Sequence, residues 1–196
     1  MTFTLNRNLL LDFLLKVDEK TKMRFAIINQ CAPVIKGLKP ANVMMLDSLV
    51  MEEVLLEITR EERLAMDFVW RGGKKSVILI YNKDLLNRIL HESRRKEYLY
   101  KIGYEDKKVE ESLKIIINRM KQYYERKSTF PHELGIFLGY PLEDVLSYIK
   151  FNGKNALYRG YWIVYHNVDG AKRVFHDYDC AREELLDQFV RKIEIE

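Results

Sequence analysis

One run of apolar residues near the middle of the chain constrains the fold more than any other feature. Residues 76–81 read Ser-Val-Ile-Leu-Ile-Tyr, a short segment that is rich in β-branched side chains and apolar on both faces. A strand with two apolar faces must be covered on both, so the pattern predicts a central strand in a β-sheet. Because most of the remaining apolar spacing is helical, we expect an α+β fold, mostly helical, with a small β-sheet.

The length and composition of the chain indicate its broad class. A chain of 196 residues suits one domain, and we expect residues 1–196 to form that single domain. Hydrophobic residues make up 47% of the sequence, which is enough for a packed core. No apolar run approaches the roughly 20 residues that cross a bilayer. Asp12 and Lys16 interrupt the apolar stretch that follows Arg7, which argues against a secretory signal.

Charge and cysteine content indicate which partners and which cellular compartment to expect. The formal net charge of +4 is mild, and it argues against a dedicated nucleic-acid-binding protein. Two cysteines are too few for a disulfide scaffold, so we expect a reducing, cytoplasmic location and no membrane partner. These totals identify neither a cofactor nor an oligomeric state.

Periodicity and capping signals predict the other elements. Helical spacing covers residues 5–17, 21–30, 48–68, 84–98, 109–126, 133–138, 141–151 and 171–191. We expect Pro33 to break the second of these helices, the glycines after Arg71 to end the third, and Asn82 to cap the fourth. Strands are also predicted at residues 43–46 and 161–165, and we expect the sheet to be built around residues 76–81 and 161–165.

Residues 130–145 contain many residue types that are uncommon in a purely apolar core. They read Phe-Pro-His-Glu-Leu-Gly-Ile-Phe-Leu-Gly-Tyr-Pro-Leu-Glu-Asp-Val. The prolines suit helix starts and Gly139 suits a helix end, so we expect two short helices that meet at residues 139–141. Gly139 is expected to have a positive φ or to lie where a side chain would clash.

We expect a binding pocket where residues 31–39 meet residues 132–140 and the aromatic pair at positions 161 and 162. Lys39, in an extended turn before a proline, would hold an anionic group, and His132 would donate or accept a proton. The aromatic rings would form a wall for a flat ligand. An ordinary structural role is the alternative for each residue. The candidate ligand-binding residues are Lys39, His132, Glu133, Tyr140, Tyr161 and Trp162.

Thiol and metal chemistry receive weaker support. Cys31 is a candidate reactive thiol, but its place at a helix end raises a thiol pKa while nearby lysines lower it. A small buried thiol is the alternative. His176 and Cys180 are four residues apart and share a helix face. We predict no metal site, because the histidines form no paired ligand motif: His91, His132, His166 and His176.

Three functions fit these features. The leading one is a small-ligand-binding or accessory protein with an anion-holding pocket, whose ligand is a small anion or a flat aromatic molecule. The second is an enzyme that uses the same pocket, with His132 as its acid or base. The third is a helix–turn–helix nucleic-acid-binding protein that uses residues 133–150. Glu143 and Asp144 would face phosphates at the start of its second helix, which argues against the third function.

The segments described above also carry a resemblance to a known family. They are Cys31-Ala-Pro33, Lys39, Tyr81, Gly103-Tyr104, Phe130-Pro-His-Glu133, Leu138-Gly-Tyr-Pro141, Asp144-Val145, Gly153, Gly160-Tyr-Trp162, Val164-Tyr165, Phe175 and Cys180. Over its full length the chain resembles a family of uncharacterised bacterial proteins, common in clostridia and their relatives, called domain of unknown function 3793. The resemblance implies a single-domain, cytosolic protein of bacterial or archaeal origin, and it implies no activity, cofactor or catalytic residue. Ile163 stands where the family pattern has a lysine, so no role of that lysine carries over.

Overall fold

The computed structural model describes residues 15–47, 52–104 and 108–195. In chain order the elements are α1 Glu19–Ile35, β1 Ala41–Asp47, α2 Glu52–Glu61, β2 Ala65–Arg71, β3 Lys75–Tyr81, α3 Lys83–Leu90, α4 Ser93–Leu99, α5 Val109–Tyr124, α6 Leu134–Phe137, α7 Leu142–Phe151, β4 Tyr158–Arg159, β5 Ile163–Val164 and α8 Val168–Ile195. A π-helical turn, Tyr100–Tyr104, follows α4. The expected α+β fold, mostly helical with a small sheet, is confirmed.

The central strand of the sheet is β3, as its two apolar faces predict. β1 and β2 both pair with it in antiparallel register, so that Tyr81 lies opposite Ala41 on one side and Ala65 on the other. Side chains alternate between the two faces of a strand, so β3 contributes to two different cores. The first core joins Val77, Leu79 and Tyr81 to α3, α5, α6 and α7, and the second joins Ile78 and Ile80 to α1 and α2.

The strand predicted at residues 161–165 does not join this sheet. β4 and β5 form a separate antiparallel hairpin, whose Trp162 packs edge-on against Phe175 of α8 with ring centroids 4.4 Å apart. The prediction that residues 76–81 and 161–165 build one sheet is therefore wrong. Both edges of β3 are taken by β1 and β2, and the hairpin finds its apolar cover on a helix instead.

The single long helix predicted at residues 48–68 is also wrong. Part of it forms α2, but the chain reverses at Arg63, whose φ is +55°, and continues as β2. Pairing with the edge of β3 overrides helical spacing here, because the aromatic and β-branched residues of Ala65–Arg71 are good strand formers. The glycines that were expected to end a helix lie in a hairpin turn, where the Gly72 N–H donates to the Lys75 carbonyl at 2.8 Å.

Other helix boundaries differ by smaller amounts. Pro33 does not break α1, because the residues around it are buried and their packing outweighs one lost backbone hydrogen bond. The helix predicted at residues 84–98 divides into α3 and α4. Asn82 caps α3 as predicted, since its side chain accepts a hydrogen bond from the Leu85 N–H at 3.0 Å. The helix predicted at residues 5–17 lies almost wholly outside the described residues.

The turn between α6 and α7 meets both expectations for Gly139. Its φ is +81°, and a Cβ atom at this position would lie 2.5 Å from Cδ of Pro40, at the start of β1. The backbone of the turn therefore packs directly against a proline ring at the edge of the sheet. This contact sets the position of α7, and with it the position of the hairpin that packs on α7.

We expect Gly139→Val to lower the free energy of unfolding by about 2–4 kcal/mol, because it adds a clash with Pro40 to the strain of a left-handed residue. Gly37→Val is the matched control. Gly37 also has a positive φ, +69°, but a Cβ atom added there would meet no other atom within 4 Å. Urea denaturation of the two variants separates the clash from the backbone strain, and equal losses would show that Pro40 yields without cost.

Candidate ligand-binding site

A cavity of about 360 Å³ lies between α6, α7 and the β4–β5 hairpin. Its volume falls in the range of small-molecule sites. Most of the residues that line the cavity are apolar. They include residues of α6, which is short and buried, and of α7, which packs against α6. The lining residues are Phe130, His132, Leu134, Gly135, Leu138, Tyr140, Asp144, Val145, Tyr148, Trp162 and Ile163.

Aromatic rings form two sides of this cavity. Tyr140 stacks on Trp162 with ring centroids 5.4 Å apart and an angle of 29° between the planes. His132 lies between Phe130 and Tyr148, at centroid distances of 5.4 Å and 5.1 Å. Rings at these separations attract one another and present flat apolar faces. The arrangement suits a ligand that contains a flat ring.

His132 is a polar side chain on this wall whose ring nitrogens are open to a ligand. Its ring is half buried and makes no hydrogen bond to any other residue in the part of the chain that the structure describes. A neutral imidazole has one donor and one acceptor nitrogen, so it can exchange one hydrogen bond of either kind with a bound molecule. The same isolation leaves the ring without a group that would fix its tautomer.

Asp144 is a residue of this site that the sequence interpretation missed. Its carboxylate is 3% exposed and accepts hydrogen bonds from Trp162 Nε1 at 2.8 Å, the Tyr165 N–H at 2.9 Å and the His166 N–H at 3.0 Å. These bonds attach the hairpin and the start of α8 to the first turn of α7. The sequence carries one signal for this role, because Asp144 lies four residues before Tyr148 and therefore shares its helix face, which lines the cavity.

Glu133 has structural partners on α5 and the π-helical turn. Its carboxylate accepts a hydrogen bond from Arg119 at 2.5 Å and another from the Tyr104 hydroxyl at 3.2 Å. Burial, and after it the charge of Glu133, raises the pKa of Tyr104, so this hydroxyl stays protonated and continues to donate. Glu133 is not among the residues that line the cavity.

Lys39 approaches the cavity only through Tyr140. The lysine is 4% exposed, its Nζ donates to Oδ1 of Asn42 at 2.7 Å, and it lies 5.5 Å from the centroid of the Tyr140 ring. Burial lowers the pKa of Lys39 to about 8. Of the predicted set, His132, Tyr140 and Trp162 therefore meet at one cavity, while Lys39 does not line it.

The other two predicted residues lie outside the cavity wall. The Tyr161 hydroxyl donates to Asp179 of α8 at 2.8 Å. Cys31 is fully buried in the second core, with its Sγ 3.3 Å from Sδ of Met44. Burial raises the pKa of the Cys31 thiol to about 12, which disfavours the thiolate that a reactive cysteine needs.

Residues 15–47, 52–104 and 108–195 contain neither a metal-ligand cluster nor a membrane-spanning helix. No group of three or more His, Cys, Asp or Glu side chains in these ranges could hold a metal ion. The thiol of Cys180 lies 3.5 Å from Nε2 of His176, so the pair that shares a helix face does come together, on an exposed surface. No helix in the same ranges is long and apolar enough to cross a membrane.

Comparison with known proteins identifies one family. The model of a family described as "Protein of unknown function (DUF3793)" matches residues 27–196. No curated protein and no solved structure matches the chain. The expected resemblance to domain of unknown function 3793 is thereby confirmed over residues 27–196, which include α8 and the hairpin as well as the sheet.

We expect the buried Lys39 to make stability increase with pH. An unfolded lysine has a pKa of about 10.4, whereas that of Lys39 in the folded protein is about 8. Between these two values the unfolded chain binds more protons, so the free energy of unfolding rises with pH. Lys39→Met should remove this rise, and the difference between variant and wild type should change by up to about 3 kcal/mol across the window.

Urea denaturation at several pH values, with a reductant present, measures this difference. Cys31 opposes Lys39 above about pH 9, because its thiol ionises first in the unfolded chain. That effect is present in both proteins and cancels from the comparison. Lys74→Met, which removes an exposed lysine, is the control and should leave the pH dependence unchanged. A Lys39→Met curve parallel to the wild-type curve would contradict the lowered pKa.

Proposed function

We propose that this chain, which belongs to the DUF3793 family, binds a small, flat and largely apolar molecule in the cavity between α6, α7 and the hairpin. The observation that carries the proposal is that His132, Tyr140 and Trp162 all line one cavity of about 360 Å³. The ligand would insert a ring between the two aromatic sides and exchange one hydrogen bond with His132.

A ligand whose anionic group is held by Lys39 has less support than a ligand that is apolar where it is buried. Lys39 does not line the cavity, and its ammonium already donates to Asn42. The Tyr140 ring contacts both the Lys39 ammonium, at 5.5 Å, and Trp162, so the lysine is connected to the cavity through this ring. We therefore propose a ligand whose buried part is uncharged, with any anionic group left at the mouth of the cavity.

An enzyme that uses His132 as its acid or base is a weaker alternative. A catalytic imidazole is held in one tautomer by a second group, commonly a carboxylate or a backbone carbonyl. His132 contacts Phe130 and Tyr148 through its ring and has no such partner in the part of the chain that the structure describes. Binding without chemistry at His132 is the simpler proposal.

Nucleic-acid binding through residues 133–150 is the other alternative. The order α6, α7 and hairpin resembles a helix pair with a wing, which favours the idea. Glu143 at the start of α7 opposes it, because its exposed carboxylate would approach the phosphates, and Lys150 lies at the far end of the helix.

For cellular context, we propose a single domain that works in the cytoplasm of a bacterium.

The cavity can be tested with 8-anilinonaphthalene-1-sulfonate, a flat aromatic probe whose fluorescence rises in apolar surroundings. We expect saturable binding that Ile163→Phe weakens by about tenfold, because the larger side chain fills space on the cavity wall. Ile149→Phe makes the same change at an exposed position and should leave binding intact. Equal binding by both variants would place the probe elsewhere and contradict the proposal.

Native mass spectrometry of the purified protein gives a second measurement. A retained natural ligand should appear as a mass added to the wild type and to Ile149→Phe, and it should be reduced in Ile163→Phe. A retained mass that both variants carry equally would show that the ligand binds outside the cavity. Thermal denaturation of each variant confirms that the comparison is made between folded proteins.

A further inference from the structure

A second concave site lies beside the cavity, on the other side of Trp162. It is a groove of about 780 Å³ between the first turn of α7 and the start of α8. Asp144 and Trp162 line both spaces, so the two sites share one wall. The polar residues of the groove that matter here are Glu143, Asp144, His166, Arg173 and Asp177.

Asp144 orients the imidazole of His166 in this groove. Its Oδ1 lies 3.2 Å from Nδ1 of His166, and it also accepts a hydrogen bond from the His166 N–H. An ionised carboxylate can only accept, so Nδ1 carries the proton and Nε2 of the neutral ring keeps its lone pair. The His166 side chain is 55% exposed, and within residues 15–47, 52–104 and 108–195 its Nε2 has no hydrogen-bond partner.

The other three histidines differ from His166 in the contacts that their rings make. Nδ1 of His91 lies 2.8 Å from the backbone carbonyl of Asn87, and the ring of His176 contacts the Cys180 thiol. His132 makes ring contacts alone in the described part of the chain. Of these four rings, that of His166 is the one coupled to a buried carboxylate. This hydrogen bond fixes the tautomer and the orientation of the ring.

The charged groups around His166 leave its Nε2 accessible. From α7, Glu143 lines the groove and is paired with Arg94. From α8, Arg173 and Asp177 line the groove, and neither forms an ion pair with another residue that the structure describes. The groove thus holds an oriented base together with Arg173 and Asp177, in a space large enough for a small molecule.

We propose that this groove is an acid–base site for a small polar molecule that carries an ionisable O–H or N–H group. His166 Nε2 takes the proton from that O–H or N–H group, or from a water molecule, as its oxygen or nitrogen forms a bond to an acyl carbon. The bond from that carbon to its leaving group breaks, and the imidazolium gives the proton to the leaving group. Asp144 is the positioning residue, because it acts through His166. The inference does not depend on occupation of the neighbouring cavity, so either proposal can fail alone.

The first test is the tautomer of His166, read from a ¹H–¹⁵N correlation spectrum of the imidazole groups. We expect a protonated Nδ1 and an unprotonated Nε2 in the neutral ring of His166. A spectrum that assigns the proton of neutral His166 to Nε2 would overturn the proposal. This measurement uses the unmodified protein and therefore does not depend on the folding of any variant.

The second test is the reaction with p-nitrophenyl acetate, a small acyl compound that reports an accessible basic imidazole. Nε2 attacks the acetyl carbon, p-nitrophenolate leaves, and water then releases acetate and restores the ring. We expect His166→Gln to slow p-nitrophenolate release by about tenfold, and His91→Gln, the matched control, to leave the rate unchanged. Equal rates for wild type and His166→Gln would overturn the proposal.

Asp144→Asn distinguishes positioning from a purely structural role. An asparagine side chain can either accept from or donate to Nδ1, so the ¹H–¹⁵N spectrum of the neutral His166 ring should show a mixture of tautomers, and p-nitrophenolate release should slow. An unchanged tautomer would show that Asp144 holds the segment in place without orienting His166, and it would overturn that part of the proposal. If circular dichroism shows that Asp144→Asn is unfolded, the tautomer and His166→Gln decide the outcome.

Discussion

The buried carboxylate of Asp144 is the interaction on which the C-terminal part of the chain depends. It accepts hydrogen bonds from the indole of Trp162, in the hairpin turn, and from the backbone of Tyr165 and His166, between the hairpin and α8. Hydrogen bonds to a charged group contribute about 1.5–3 kcal/mol each, and losing the acceptor would leave these donors buried and unpaired. One side chain thus fixes α7, the hairpin and the start of α8 relative to one another, and both concave sites are built on that junction.

The two-sided strand β3 explains why the rest of the molecule takes its shape. One face is covered by α1 and α2, and the other by α3, α5, α6 and α7. Helix α8 joins these parts, since its first turns cover the hairpin through Phe175 while Phe189 packs against Phe25 of α1 at 6.4 Å. The contact of Pro40 with the Gly139 turn then brings the sheet edge to the helix pair, so that the cavity forms next to the sheet.

Lys39, next to the edge of the sheet, is connected to the cavity through a neighbouring ring although it does not line the cavity. A buried ammonium is costly, and this one is held by a neutral amide oxygen and by the face of Tyr140. The same Tyr140 ring stacks on Trp162. Lys39 is therefore in contact with a ring of the cavity wall although it does not line the cavity itself.

The sequence by itself determined the features that depend on local chemistry. The apolar faces of β3, the Asn82 cap and the positive φ of Gly139 all follow from residue type and spacing over a few positions. The sequence also identified His132, Tyr140 and Trp162 as candidates for one site, and all three line the cavity. Only the tertiary structure decided which strand fills each edge of β3, that the hairpin stands apart from the sheet, and that Asp144 orients His166. Those outcomes depend on contacts between residues distant in sequence, whose energies exceed local propensity and leave no periodic pattern in the chain.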